Sequence, residues 1–196
     1  LFIVHVKLCA NNIKTSQNLN MENLVRFNKK DRSTFPYWFA HWCSFNMTAL
    51  NLRKWKWKYL LHDIEKPWMK LFCKYSTVQK WHNTHRKHHL LHYFITGKAD
   101  WEQMIIDWEC GRFTKQQCPR DSVDEYLRIF KQFENYILNN EMSDNKTLNY
   151  IQDHPMDNVL FIQRCKEAYI QLRNTFKESF DIDIPQYNIN YLNIDE

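Results

Sequence analysis

Two glycines and five prolines among 196 residues set the strongest limit on how this chain can fold. Hairpins, bulges and long loops draw on residues that accept left-handed backbone or fix a turn. A chain this poor in both is expected to be all-α. Its length is enough to close one hydrophobic core without disulfides. Thirteen Phe, ten Tyr and eight Trp supply the apolar area of that core.

Helical spacing can be followed through most of the sequence. Ser33 and Thr34 suit a cap and Pro36 a first turn, followed by Trp38, His41, Trp42, Phe45 and Ala49 on one face. The stretch Asn51 to Leu61 alternates Trp55, Trp57 and Tyr59 with Arg53, Lys54, Lys56 and Lys58. That pattern fits a strand or a base-stacking surface, but a helix burying Trp55, Tyr59 and His62 is the favoured reading. Pro67 opens a short helix, and Ser76-Thr77 caps a longer one that is expected to run unbroken to Gly97. Asp100 and Asp121 or Ser122 cap the next two helices, a short helix surrounds Leu148, and a last one spans roughly Met156 to Phe180. The division expected is a polar arm over 1–32, which contributes at most an added strand or a short helix around Met21 to Phe27, a helical domain over 33–180 and an irregular tail over 181–196.

Trp81 to Tyr93 holds five of the nine histidines. At about 3.6 residues per turn, His82, His85, His89 and His92 share one stripe of a helix, with His88 beside it. Neutral imidazoles facing one point suit a borderline divalent metal. Elsewhere His41, the adjacent His62-Asp63 and Asp107 each fall on or at the end of their own predicted helix. Ligands donated by several helices to one point are how bundles build metal centres.

In order, His41, His62-Asp63 and Asp107 resemble the HD superfamily of metal-dependent phosphohydrolases, most closely small HD-like proteins of phages and bacteria. The family's His-Asp-x-x-Lys string is similar to His62-Asp63-Ile64-Glu65-Lys66, and its late Met-Ile-x-Asp-Trp to Met104-Ile105-Ile106-Asp107-Trp108. The resemblance covers residues 35–116. It implies an HD-domain-like helical bundle around a metal site, with His41, His62, Asp63 and Asp107 as ligands and Lys66 near a substrate phosphate. By the same resemblance, His85 and the pair His88-His89 add a second ion, with His82 competing for the place of His85. The chain departs from the pattern in the short gap of 21 positions between His41 and His62, and in Glu65 where a glycine is usual.

The implied chemistry is hydrolysis of a nucleotide or other phosphate ester by water activated on one or two divalent ions (Mn, Mg, Fe or Zn). Asp63, with two ligating oxygens, is the expected bridge. Lys66, Arg86, Lys87 and Arg112 are the expected neutralisers of phosphate charge, and His92 an ordinary surface or supporting histidine. The rival reading is a non-catalytic HD-like subunit of a larger assembly, binding nucleic acid through Arg53 to Lys58; the net charge of +5 suits either anionic partner. His85-x-x-His88-His89 also spells the box of membrane di-iron desaturases, but the long apolar spans that these require are missing. Six scattered cysteines without a Cys-x-x-Cys pair argue for free thiols in the cytoplasm or another reducing compartment, an organelle included.

Overall fold

The computed structural model describes residues 26–184 apart from 117–119, 142 and 144. Among them run eight α-helices: α1 (Phe35–Asn51), α2 (Glu65–Lys70), α3 (Tyr75–His85), α4 (Leu90–Thr96), α5 (Trp101–Thr114), α6 (Ser122–Asn139), α7 (Lys146–Asp153) and α8 (Asn158–Phe180). No β-strand occurs among the described residues, so the all-α expectation holds. None of the helices is long and apolar enough to cross a membrane.

Five of the eight helices start on a side-chain cap, whereas α2, α3 and α4 have none; α3 begins at Tyr75 after Lys74, so the expected Ser76-Thr77 cap lies inside the helix. Thr34 Oγ1 accepts from Tyr37 N, Asp100 from Gln103 N, Asp121 from Asp124 N, and Asp157 from Leu160 N. Asn145 accepts from both Thr147 N and Leu148 N at the start of α7. Gly97 ends α4 at φ 71°, where a Cβ would also collide with the Arg164 guanidinium.

Helix α5 organises the packing because it is buried on several sides. Met104 and Ile105 join the larger core, which takes Phe94 from α4, Tyr126, Phe130 and Phe133 from α6, Leu148 from α7 and Phe161, Tyr169 and Phe176 from α8. Ile106 and Cys110 turn the other way, into a smaller core with Phe45, Ala49 and Tyr59. Asp107 lies between these two faces and points at the histidines. α1 packs along α5, and Ser44 Oγ donates to Cys110 O at 3.2 Å. Helices α6 and α8 therefore brace α5 on one side, while α1 packs along the other.

Three local expectations are corrected. The helix over Asn51 to Leu61 is absent: Arg53 turns at φ 55°, Lys56 is extended, and Trp57–Leu61 forms a 3₁₀ turn. Side chains of α1 hold this turn, since Trp42 Nε1 donates to Leu60 O at 2.9 Å and Asn46 Nδ2 to Tyr59 O at 3.4 Å. Tyr59 and His62 are buried as expected, whereas Trp55 stays 38% exposed with its indole N–H on Asn46 Oδ1. The single helix expected from Ser76 to Gly97 is two helices, α3 and α4, separated at residues 86–89.

The ends also differ from the expected division. Residues 26–32 of the arm touch the body: Phe27 N donates to Thr114 O, Gln116 N to Phe27 O, and Phe27 packs edge-on against Tyr37. Ile184 of the tail is buried in the larger core. The remainder of the arm, with most of the expected Met21 to Phe27 helix, and residues 185–196 lie outside the described residues. Cys43, Cys73, Cys110 and Cys165 are free thiols.

Candidate metal centre

Two pairs of adjacent residues make the site, and each pair sits where helix is interrupted. Neighbouring side chains on a helix diverge by about 100°, and on a strand by about 180°. For both members to face one point, the backbone must leave both forms. His62 ends the 3₁₀ turn in an extended conformation, and Asp63 follows at φ 60°. Trp38 Nε1 holds this left-handed residue by donating to its carbonyl at 2.8 Å. His88 and His89 lie in the gap between α3 and α4, where Arg86 and His89 are extended. The carbonyls freed there are taken up by Asp100 N, on Lys87 O, and by the His92 ring at 2.7 Å from Thr84 O.

The first group is formed by α1, the His62-Asp63 corner and α5. His41 Nε2 lies 3.0 Å from Asp107 Oδ1 and 3.7 Å from Asp63 Oδ2. His62 Nε2 lies 3.4 Å from both Asp107 Oδ1 and His41 Nε2. Phe45 stacks on the His62 ring at 3.7 Å, with the planes 10° apart, and so sets its orientation. Cys110 Sγ sits 3.6 Å from His41 Nδ1.

The second group faces the other oxygen of the same aspartate. Asp63 Oδ1 lies 3.1 Å from His82 Nε2, 3.5 Å from His88 Nε2 and 3.6 Å from His62 Nε2. Gln103, one turn before Asp107 on α5, reaches both His62 Nδ1 and His88 Nδ1 at 3.2 Å. Glu65 Oε1 lies 2.6 Å from His82 Nδ1 and also accepts from Arg86 Nε at 2.8 Å.

Two observations test whether a metal fits. The Nε2 atoms of His82, His88 and His89 and Oδ1 of Asp63 are all buried without a hydrogen-bond partner. Buried polar atoms are rarely left so. Four of them within one cluster is the state expected of metal ligands. Second, donors about 2.0 to 2.2 Å from a common ion stand roughly 3.0 to 3.5 Å from each other, close to the separations above. The sets His41–His62–Asp107, His62–Asp63–His88, Asp63–Glu65–His82 and His82–His88–His89 can each hold a metal ion. Imidazole with carboxylate suits Zn, Fe or Mn better than Ca.

The electrostatics support the same reading. Burial, reinforced for His89 by His88 and His82, keeps the His41 and His89 imidazoles below their ordinary pKa and lowers His88 to about 4. These rings are neutral at pH 7, the form in which an imidazole can ligate a metal. Burial opposes charge on the two aspartates as well, but His62, Lys66 and His82 hold the Asp63 carboxyl well below the usual carboxylate range. Hydrogen bonding to His41 and His62 does the same for Asp107. For Glu65 the contacts with His82 and Arg86 outweigh burial and bring it to about 2.

Of the residues expected at the site, His41, His62, Asp63, Lys66, His88, His89 and Asp107 are brought together. Lys66 Nζ lies 2.5 Å from Asp63 Oδ2. His85 is not brought in: it is exposed and stacks on Trp81 at 4.6 Å, with Nδ1 near Trp81 O. His82 takes the place considered for it, because it lies on the inner face of α3, one turn earlier. Three expected phosphate-facing cations are also elsewhere. Arg86 is paired with Glu65 and Arg112 with Glu109, and Lys87 is exposed beyond the break in the helix. Glu65 and Gln103 were not anticipated. Gln103 carried a signal, its spacing of four from Asp107, while Glu65 stood only as a departure from the HD string.

Comparison with protein-family models, curated proteins and solved structures found nothing that matches this chain. The class of the site therefore rests on its geometry: a buried cluster of histidines and acids able to bind metal, inside an all-α fold.

Proposed function

We propose that this protein is a metal-dependent phosphohydrolase of HD type, acting on a nucleotide or another phosphate ester. The observation that carries this reading is Asp63, with Oδ1 facing His82 and His88 and Oδ2 facing His41 and Lys66. A carboxylate placed in this way can serve two ions at once. A divalent ion in such a site supplies Lewis acidity, withdrawing charge from a phosphoryl oxygen and lowering the pKa of water to about 7.

The protein's own groups would do the rest. His41, His62 and Asp107 would hold one ion, and His82, His88 and His89 the other, with Asp63 shared. Gln103 would fix the imidazole tautomers. Metal at Nε2 requires the proton on Nδ1, so the amide would present Oε1 to His62 and His88, and an oxygen with two lone pairs can accept from both. The Lys66 ammonium would lie against a substrate phosphoryl oxygen. A cavity beside His41, Asp63 and Lys66 offers the way in.

Elemental analysis of purified protein tests this first, followed by turnover of a panel of nucleotides and simple phosphate esters with Mn²⁺ or Mg²⁺. Stoichiometric metal with hydrolysis is expected; a metal-free protein without turnover sinks the reading. A second reading, a subunit of a larger assembly, draws on the exposure of Trp57, Trp68, Leu71 and Phe72 (73, 65, 70 and 85%). It is weaker for nucleic acid, since Lys56 and Lys58 are engaged by Glu102 and Asp100. Recovery in a large complex with no turnover would favour it.

A further inference from the structure

The cavity that opens on His41 and Asp63 has a far wall that the metal centre does not explain. It lies between the first turns of α1 and α2, has a volume of about 280 Å³, and is lined by Arg32, Lys66 and Lys70 together with Tyr37 and Tyr75. Phe35, Trp38 and Leu71 supply an apolar side. Lys66 is largely neutralised by Asp63, and Lys70 Nζ contacts the Ser33 carbonyl. Arg32 is different. Its Nε and Nη2 are buried with no hydrogen-bond partner among the described residues.

Arg32 is half-buried as a residue, but guanidinium N–H groups that are themselves buried are normally paired, because they lose water and need an acceptor in its place. The guanidinium offers donors in a planar fork that matches two oxygens of a phosphate. Tyrosine hydroxyls, ordinarily protonated at neutral pH, add donors. Of the nearby acids, Asp63 lines the cavity with its Oδ2 paired to Lys66, and Asp107 is not part of the lining.

We propose that this cavity is a phosphate-monoester site in which Arg32 is the anchor for the phosphate anion, and that Phe35, Trp38 and Leu71 accept a small flat or aliphatic ester group. The volume lies just below the range for ligand pockets, about 300 to 1,000 Å³. A compact phosphorylated molecule fits it better than a polymer. The reaction assigned to such a ligand rests on the phosphohydrolase reading; its binding by Arg32 does not.

Calorimetric titration of the full chain, stripped of metal, with inorganic phosphate, phenyl phosphate and phenol tests this. Phenyl phosphate is expected to bind more tightly than inorganic phosphate, and phenol far more weakly than either. Arg32→Met is expected to weaken both phosphates by about 10- to 100-fold, the loss of a charged hydrogen-bond pair. Arg32→Lys should restore only part, having no fork. Unchanged affinity in folded Arg32→Met overturns the proposal. If that variant does not fold, Leu71→Glu sets a carboxylate on the exposed rim: weaker binding of both phosphates supports the proposal, and unchanged binding overturns it. Metal uptake by the untreated protein is measured separately. Stoichiometric metal without Arg32-dependent binding sinks this inference alone, and Arg32-dependent binding in a protein that takes up no metal sinks the phosphohydrolase reading alone.

Discussion

Asp63 Oδ1 lies 3.1 Å from His82 Nε2, and neither atom has a hydrogen-bond partner although both are buried. The second oxygen of the same carboxylate receives Lys66 at 2.5 Å. One side chain thus connects the two halves of the histidine cluster, and its removal should affect both. Asp63→Ala is expected to lose bound metal from both groups, read by elemental analysis, and to lose hydrolysis with it. Retention of full metal stoichiometry would show that Asp63 is not shared.

His82 and His85 stand one turn apart on α3 and make opposite predictions. His82→Ala should lower metal content and leave Asp63 Oδ1 without its nearest imidazole. His85→Ala removes an exposed ring whose contacts are local, to Trp81 and Thr84, and its stability should stay within about 0.5 kcal/mol of the parent. Equal loss of metal in the two variants, measured side by side, would contradict this placement.

Gln103 tests whether the imidazoles are oriented from behind. Gln103→Leu keeps the volume but removes the group reaching both His62 and His88. Metal affinity is expected to fall by about 10- to 100-fold, as for loss of other groups that orient metal-binding histidines. Competition against a chelator of known affinity gives the number, and no change would refute the role.

His88 predicts how the metal-free protein responds to acid. Its folded pKa of about 4 lies below the ordinary value of 6.5. Between those values the unfolded chain binds more protons, so stability rises with pH across this window and is lost as pH falls from 6.5 towards 4. Thermal melting of metal-free protein should show that decline, with each kcal/mol lost worth about 2 to 4 °C for a chain of this size. His88→Gln, which keeps a polar side chain but cannot titrate, should flatten it; an unaltered slope would remove His88 as the cause.

Much of the helical layout is legible because its signals are local. Thr34, Asp100, Asp121, Asn145 and Asp157 each cap a helix through contacts within three residues, and Gly97 stops one by its own backbone freedom. The residue types of the cluster were legible too, since His62-Asp63 and His88-His89 stand as adjacent pairs.

What local pattern could not supply was the direction of those pairs. A continuous helix places His85 on the same stripe as His82 and sends His88 and His89 apart by about 100°. The chain instead breaks at Arg86 to His89 without a glycine or proline, held open by Asp100 N and the ring of His92. Asp63 takes a positive φ held by Trp38, 25 positions away. The sequence by itself determined an all-α chain, most of its helix starts and the kind of atoms gathered at its centre. Tertiary contacts decided where the helices break, and hence that His82 faces inward, His85 faces water, and Arg32 lines the cavity. The reason is that a helix break depends on which distant groups capture the freed carbonyls, and no local periodicity encodes that.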